Sequence, residues 1–540
     1  MKTVDVIAAI FKREGIDRIF GIPGGGSTMH LIHAVKRAGI EVVLAAHETS
    51  AALIASVYGE IKEKPGVCFA IQGPGATNLA SGVAYAYLER AALLAITEQH
   101  DLKTYQSVST QKIDQGAFFD PITKGHYTVT APRAQQIVEK AISLSKTERP
   151  GPVHLDLAKD EAVAEAIYDS KVPTYAVRSL SLTSQDLKRV SVVSEKIAKA
   201  RHPLLIAGIE AKRGGAKAIL TSLAEKWNTP VMVSIKGRGV FDENHPLYGG
   251  VFLGTFTKGT FEDEIIAQSD LLILIGVDGI ELLPKPWGLT QPLVHIGFQP
   301  NIDAIYPSEI EISGDIEQIL DALLQQCPKL RKWDSKYIAA THQTIQKKLC
   351  GSEEPLPLHR IIQITRNKLP ADGILATDVG AFNSMVHYLW QVNRRNTYFT
   401  SKGLSTMGIA LPAAIAAQLA FPHKKVVCFT GDGGALMRLQ DLEICSRLKL
   451  PIIIVVFSDS ALGLIEAKQK EAGYDPAGVK MKNPDFSQLV KAFGGLGFRV
   501  KTETEFARAI DQALNESRLS LIEAVMNPRT YGDHLKLIRG

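Results

Sequence analysis

The chain reads as three consecutive α/β domains, each built on a parallel sheet covered by helices. Three observations predict this. The 540 residues are too many for one hydrophobic core and suit about three domains of roughly 150–200 residues. Short apolar runs alternate with longer helical patterns along most of the chain. Several of those runs end in glycine-rich turns, the punctuation of strand–turn–helix units.

The first block is expected over residues 1–170. Met1 to Glu14 reads as an amphipathic helix, since Asp5, Lys12 and Arg13 interrupt its apolar stretch and exclude a signal peptide. Val42–Ala45, Val67–Ile71 and Leu93–Thr97 read as strands, and Arg149 to Asp156 as a turn leading into a last strand. Tyr168 to Gln185 is polar and reads as a linker. The central block is expected over 186–345, with strands at Pro203–Ala207, Pro230–Ser234, Leu271–Ile275 and Leu293–Ile296. A polar break from Cys350 to Pro357 precedes the third block, 356–540. Its strands are expected at Gly373–Thr377, Val426–Thr430, Pro451–Phe457 and Leu519–Val525. Gly403 to Phe421 holds Pro412 and many small residues and reads as a tight buried segment, not a membrane span.

Apolar content of 45% and charged content of 22% are ordinary for a globular protein. The net charge of +5 is spread without like-charge blocks, which argues against nucleic acid and anionic membrane as partners. Five scattered cysteines show neither CxxC nor zinc spacing, so reduced thiols in a cytoplasm are expected.

The most informative segment is in the third block. Val426 to Thr430 runs into Gly431-Asp432-Gly433-Gly434, then a helix with apolar residues at Leu436, Leu439, Leu442, Cys445 and Leu448. Pro451 opens the next strand, which ends in Ser458-Asp459-Ser460. A strand–helix–strand unit makes the two strands parallel, so Asp432 and Asp459 reach the same sheet edge. Two carboxylates brought together need a positive partner, and a hard cation suits oxygen ligands. The glycines let backbone amides approach a phosphate at a helix N-terminus.

In the first block, strand Val42–Ala45 runs into His47-Glu48 and an alanine-rich helix, so Glu48 is expected to be buried. Taken alone it reads as an ordinary helix-start carboxylate. Gly21-Ile22-Pro23-Gly24-Gly25-Gly26 and Gly73-Pro74-Gly75-Ala76-Thr77-Asn78 both follow strand-like runs, and neither has Walker spacing.

Together these segments resemble the thiamine-diphosphate-dependent enzymes, in the order pyrimidine-binding, central and diphosphate-binding domain. The look is that of the acetolactate synthase and benzoylformate decarboxylase branch. The resemblance implies that Asp432, Asp459 and the carbonyl of Ala461 hold Mg2+, although most of the family has Asn-Asn where this chain has Ser458-Asp459. It implies that Glu48 bonds the pyrimidine ring of thiamine diphosphate and drives removal of the thiazolium C2 proton, with His47 structural. Gly25, Gly73 and Asn78 would lie beside the cofactor. Ser405 would offer a carbonyl to the pyrimidine amino group, and Met407 would wedge under the bent cofactor. Gly431, Gly433, Gly434, Gly463 and Leu464 complete the cofactor residues, and Gln111 matches a substrate-side glutamine.

The leading reading is a carboligase or lyase that takes a 2-oxo acid and an aldehyde or second 2-oxo acid. A simple decarboxylase releasing an aldehyde is the alternative, and a non-catalytic nucleotide-binding protein a third. No flavin pattern is evident around Gly249 to Gly259, so FAD is not expected, though the central domain is left open to a nucleotide. The architecture implies a homodimer or a dimer of dimers, with no nucleic acid or membrane partner.

Overall fold

The computed structural model describes residues 1–171, 182–301, 305–330, 332–351, 354–527 and 531–539. Its backbone is three six-stranded, all-parallel sheets in chain order. The first holds β1 (Arg18–Gly21), β2 (Glu41–Leu44), β3 (Gly66–Ala70), β4 (Leu93–Gln99), β5 (His126–Val129) and β6 (Pro152–Ala158). The central one holds β7 (Pro203–Ala207), β8 (Val231–Ser234), β9 (Tyr248–Phe252), β10 (Leu271–Ile275), β11 (Leu293–Gly297) and β12 (Ile310–Ser313). The third holds β13 (Ile374–Thr377), β14 (Tyr398–Phe399), β15 (Val426–Gly431), β16 (Ile453–Ser458), β17 (Leu496–Val500) and β18 (Ser520–Val525).

The first and third sheets share one strand order, β2-β1-β3-β4-β6-β5 and β14-β13-β15-β16-β18-β17. The central sheet runs β12-β11-β10-β7-β8-β9, the order of a dinucleotide fold. In each sheet the direction of winding reverses between two neighbouring strands: β1 and β3, β7 and β10, β13 and β15. Ligands of open α/β sheets collect beyond the carboxyl ends at that reversal.

Helices Glu48–Lys62 and Ala410–Ala420 join the first and third blocks in one core. Their alanines allow close backbone approach, and every residue of the second helix is buried. A helix apolar all round has no solvent face to present, in keeping with Gly403–Phe421 as a tight buried segment. No helix among the described residues is long and apolar enough to cross a membrane.

Two expectations change. The segment after Gly434 is not one helix: Asp432–Met437, a 3-10 turn at Leu439–Asp441 and Leu442–Arg447 follow one another. Arg438, with φ −132° and ψ 18°, interrupts the ladder between them, and its guanidinium reaches the Gly408 carbonyl at 3.2 Å. The helix Ser335–Leu349 runs across residue 345, and its apolar residues divide between the central core (Ile338) and the third core (Ile345, Leu349). The expected linker, Tyr168 to Gln185, lies partly outside the described residues, as do Ser352 and Glu353 of the second break.

Candidate active site

The cradle in the third block forms at the β13/β15 reversal. The hydrogen bonds of Asp432, which is 2% exposed, preorganise it. Its Oδ2 accepts from the amides of Asp459 (3.1 Å) and Ser460 (2.6 Å) and from Asn483 Nδ2 (2.7 Å). Asp459 in turn accepts the amide of Ala461 through Oδ1 at 3.0 Å. Asp432 and Asp459 thus meet at one edge, as the strand–helix–strand argument requires. Burial, with the Asp432 charge added, pushes the Asp459 carboxyl up to about 7. A cation between them would reverse that penalty.

The glycines are there for space. A Cβ on Gly434 would fall 2.2 Å from Asp378 Oδ2, and one on Gly433 would meet Leu462 Cδ2 and Met407 Cε at 3.0 and 3.1 Å. Met407 is therefore packed over the Gly433 turn. Ser405, two residues earlier, has φ +54°, so the chain reverses sharply there. Gly463 opens the helix Gly463–Glu471, which carries Leu464, and lies against Asp459 Oδ2 and the Tyr531 ring.

The first block forms the complementary half. Glu48 is 8% exposed and begins the helix Glu48–Lys62, whose cap is the His47 ring accepting the Thr49 amide at 3.1 Å. Glu48 Oε2 accepts from Asn78 Nδ2 at 3.0 Å, and Glu48 Oε1 stands 3.4 Å from the Cβ position of Gly75. Gly73, with φ +64°, turns the chain from β3 into the helix Pro74–Leu88, and Gln111 packs against it. Gln111 itself is exposed and also left-handed, φ +57°. Gly25 faces open space, whereas Gly24 and Gly26 crowd the Glu98 carboxylate.

Among the described residues, Glu48 and Asn78 form no hydrogen bond to the third block. Those of Asp432 and Asp459 all stay within it.

Family comparisons match this layout domain by domain. The N-terminal thiamine pyrophosphate-binding domain matches residues 1–118, the central domain of the same enzymes 190–323, and the C-terminal thiamine pyrophosphate-binding domain 378–524. A probable 2-ketoarginine decarboxylase of Pseudomonas aeruginosa is 30% identical over 530 residues, covering 96% of this chain and 92% of the relative. The chain belongs to the thiamine pyrophosphate enzymes. A probable acetolactate synthase large subunit of Methanococcus aeolicus is 28% identical over 560 residues, covering 98% and 92%. The Escherichia coli acetolactate synthase isozyme 2 large subunit is 28% identical over 518 residues, covering 93% and 92%.

This thiamine pyrophosphate enzyme carries two cofactor-binding domains, so thiamine diphosphate is its cofactor. The residues present fit the group. The third block offers two converging carboxylates and a glycine cradle at a helix start, and the first offers a buried carboxylate held by an amide.

Several supporting residues had no sequence signal. Asp378, fully buried, accepts the Gly408 amide at 2.8 Å and Thr430 Oγ1 at 2.9 Å, tying the Met407 turn to the glycine cradle. Burial pushes its carboxyl up to about 6. Glu98 accepts the amides of Gly26 and Thr28 at 2.9 and 3.0 Å and fixes the Gly24–Gly26 turn. Gln115 accepts the Gly73 amide at 3.2 Å. Glycine-rich turns advertise themselves, but the side chains that hold them arrive from distant strands.

The central reversal is differently furnished. There Glu281, fully buried, accepts the amides of Ile209 (3.0 Å) and Asp278 (3.0 Å) and the Ser234 hydroxyl. Glu262 accepts the amides of Leu253 (2.7 Å), Gly254 (3.1 Å) and Thr255 (2.5 Å). Glu210 accepts that of Phe298 at 2.9 Å. These amides beyond the carboxyl ends of central strands donate to the protein's own carboxylates.

Proposed function

We propose that this enzyme decarboxylates a 2-oxo acid and joins the remaining fragment to a second carbonyl compound, as acetolactate synthases do. The observation that carries the reading is the pair of half-sites, Glu48–Asn78 and Asp432–Asp459–Gly434, on a chain whose full-length relatives are mostly acetolactate synthase large subunits.

Asp432, Asp459 and the Ala461 carbonyl would hold Mg2+, an oxygen donor set suited to a hard ion. The turn residues Gly431, Gly433 and Gly434 would face the diphosphate, and the Gly433 amide donates to Asp432 Oδ1 at 2.8 Å. Gly463 and Leu464 start a helix on the same edge. Met407 and the Ser405 carbonyl would support the bent pyrimidine, and Glu48 would hold and move a proton at its ring nitrogen. When bound, thiamine diphosphate supplies the electron sink that lets carbon dioxide leave a 2-oxo acid. Gly25, Gly73 and Gln111 would border the substrates.

Carbon–carbon bond formation is favoured over aldehyde release because, among the described residues, no pair of histidines lies beside the first-block turns. Gln72, Gln111 and Gln115 are amides. Two histidines nearby in sequence are His47, whose Nδ1 accepts the Thr49 amide and leaves its proton on Nε2, and His100, whose Nε2 lies 2.8 Å from the Thr110 carbonyl. The aldehyde-releasing alternative keeps one support, the relative named as a decarboxylase. FAD is not expected, because the central amides are taken by Glu281, Glu262 and Glu210.

A homodimer or dimer of dimers would close the site between the pyrimidine half of one subunit and the diphosphate half of another. Exposed Met29 and Phe118 near the first half-site, and Met437 and Ile465 near the second, are the apolar surface such contact would cover. The five cysteines are unpaired thiols, which agrees with a cytoplasmic enzyme.

The test is mass spectrometry of products from a panel of 2-oxo acids, with and without an aldehyde or second 2-oxo acid. A ligated hydroxy-ketone or hydroxy-acid is expected, dependent on thiamine diphosphate and abolished by chelation. Aldehyde as the sole product under every condition would refute carboligation.

A further inference from the structure

Away from the cofactor residues, one group of side chains gathers donor atoms in the way a metal requires. His126, His154 and Asp156 each offer one ligand atom, and these lie within 4.8 Å of one another. Their convergence follows from register. His126 of β5 pairs with His154 of β6, and Asp156 is two residues further along β6, so all three share one face of the sheet. His126 Nε2 is 3.7 Å from Asp156 Oδ2, and His154 Nε2 is 3.6 Å from Asp156 Oδ1. Those separations match ligands spread around a zinc-sized ion at about 2.0–2.2 Å. Thr97 Oγ1, 2.8 Å from both His154 Nε2 and Asp156 Oδ1, adds an oxygen at the same place.

His154 is fully buried. His126, 2.9 Å from it through the two Nδ1 atoms, is partly exposed and gives access. Two of the three donors are imidazole nitrogens, which favours a transition ion such as Zn2+ over Mg2+ and Ca2+.

What the cluster touches gives it a consequence. Asp156 Oδ1 accepts Gln115 Nε2 at 2.6 Å, and Gln115 Oε1 accepts the amide of Gly73, whose turn leads to Asn78 and so to Glu48. An ion that takes the Asp156 oxygens withdraws the shortest-range of the acceptors that orient Gln115, the others being the Glu98 carbonyl at 3.0 Å and Thr97 Oγ1 at 3.2 Å.

We propose that His126, His154 and Asp156 form a second metal site, selective for a nitrogen-preferring transition ion such as Zn2+, and that its occupancy lowers turnover through the Gln115–Gly73 contact. The inhibitory half rests on the active-site reading above, and the binding half does not.

The experiment uses the holoenzyme saturated with Mg2+ and thiamine diphosphate. Zinc binding is measured by equilibrium dialysis and turnover in parallel, for the wild type and for His126→Asn, whose partly exposed position allows folding to be verified by circular dichroism. One zinc per chain is expected in the wild type, weakened at least about tenfold in the variant, with inhibition following occupancy. Co2+ in the same site should give a visible spectrum of low coordination number that the variant lacks. Equal zinc binding by both proteins, or zinc bound only by displacing Mg2+, would overturn the site. Zinc bound and lost in the variant with turnover untouched would overturn the inhibitory coupling alone.

Discussion

Glu48 carries the sharpest residue-scale consequence of the proposed site. Its carboxylate is buried at a helix start and bonded to Asn78, and neither residue bonds the metal-binding half. Glu48→Gln keeps the size and the contact with Asn78 but removes the titrating proton. Thiamine diphosphate affinity should hold within a few-fold, because Asp432, Asp459 and the glycine cradle lie elsewhere. Turnover should fall by about 10²–10⁴-fold, the range of general acid–base groups. Hydrogen–deuterium exchange at cofactor C2, followed by NMR, reports the step directly. Exchange at the wild-type rate in the variant would remove Glu48 from the role. The burial of Glu48 was legible because a carboxylate joins an apolar strand to an alanine-rich helix in sequence, whereas its proposed role came only from the family resemblance. Asn78 was found as the last residue of a glycine-rich turn. Asp378, Glu98 and Gln115 were not legible. Each acts through a partner about 20 to 70 residues away, and nothing in its own neighbourhood marks it.

At the scale of elements, the segment leading to Ser405 and Met407 hangs on one carboxylate. Glu89, 1% exposed at the end of Pro74–Leu88, accepts through Oε1 from Ser401 Oγ and the amides of Lys402, Gly403 and Leu404 at 2.7–3.3 Å. Its other oxygen is 3.0 Å from Lys236 Nζ of the central domain, itself 7% exposed. Glu89→Gln should therefore loosen the Ser405–Met407 turn and leave Lys236 without its nearest counter-charge. Breaking a buried pair costs about 3–5 kcal/mol. The expected outcome is a lower Tm, by differential scanning calorimetry, with weaker thiamine diphosphate binding. Glu503→Gln is the control: its pair with Arg360 is 37–41% exposed, and it should cost about 1 kcal/mol or less. Equal losses in the two variants would show that the buried Glu89–Lys236 pair contributes no more than an exposed one. The elements themselves were unevenly visible in the sequence. Leu271–Ile275 and Pro203–Ala207 lie inside their sheet, buried on both faces, and read as unbroken apolar runs. His126–Val129, Ile310–Ser313 and Leu496–Val500 are edge strands with partly exposed residues, so neither a continuous run nor strict alternation announces them.

At the scale of the whole molecule, the shared strand order of the first and third sheets gives two similar platforms with different furniture. One carries the Glu48–Asn78 pair, the other the Asp432–Asp459 cradle, which the proposed function makes the acid–base and the metal and diphosphate halves. Within a chain they are joined through the alanine-rich helices, with Ser50 Oγ donating to Asp441 at 2.7 Å, Arg18 to the Leu419 carbonyl at 3.0 Å and Arg447 to the Leu44 carbonyl at 2.6 Å. That joint uses the flanks of Glu48–Lys62 and leaves Glu48 and Asp432 without a bond between them. If the site closes between subunits, the two halves can be supplied by different chains. Glu48→Gln and Asp432→Ala chains, each nearly inactive alone, should regain activity when mixed and allowed to exchange. A mixed dimer has two sites across its interface: one combines both lesions and the other has none, so it holds one intact site of two. With equal amounts and random exchange, about half of the dimers are mixed, and activity per chain should approach about a quarter of wild type, as expected for a symmetric two-fold assembly. Exchange must be verified by native mass spectrometry of differently tagged chains. Recovery near that level, rising with the mixed fraction, is the expected result. No recovery in a population shown to be mixed would mean that both halves act within one chain, and the exposed apolar residues beside them would then need another partner.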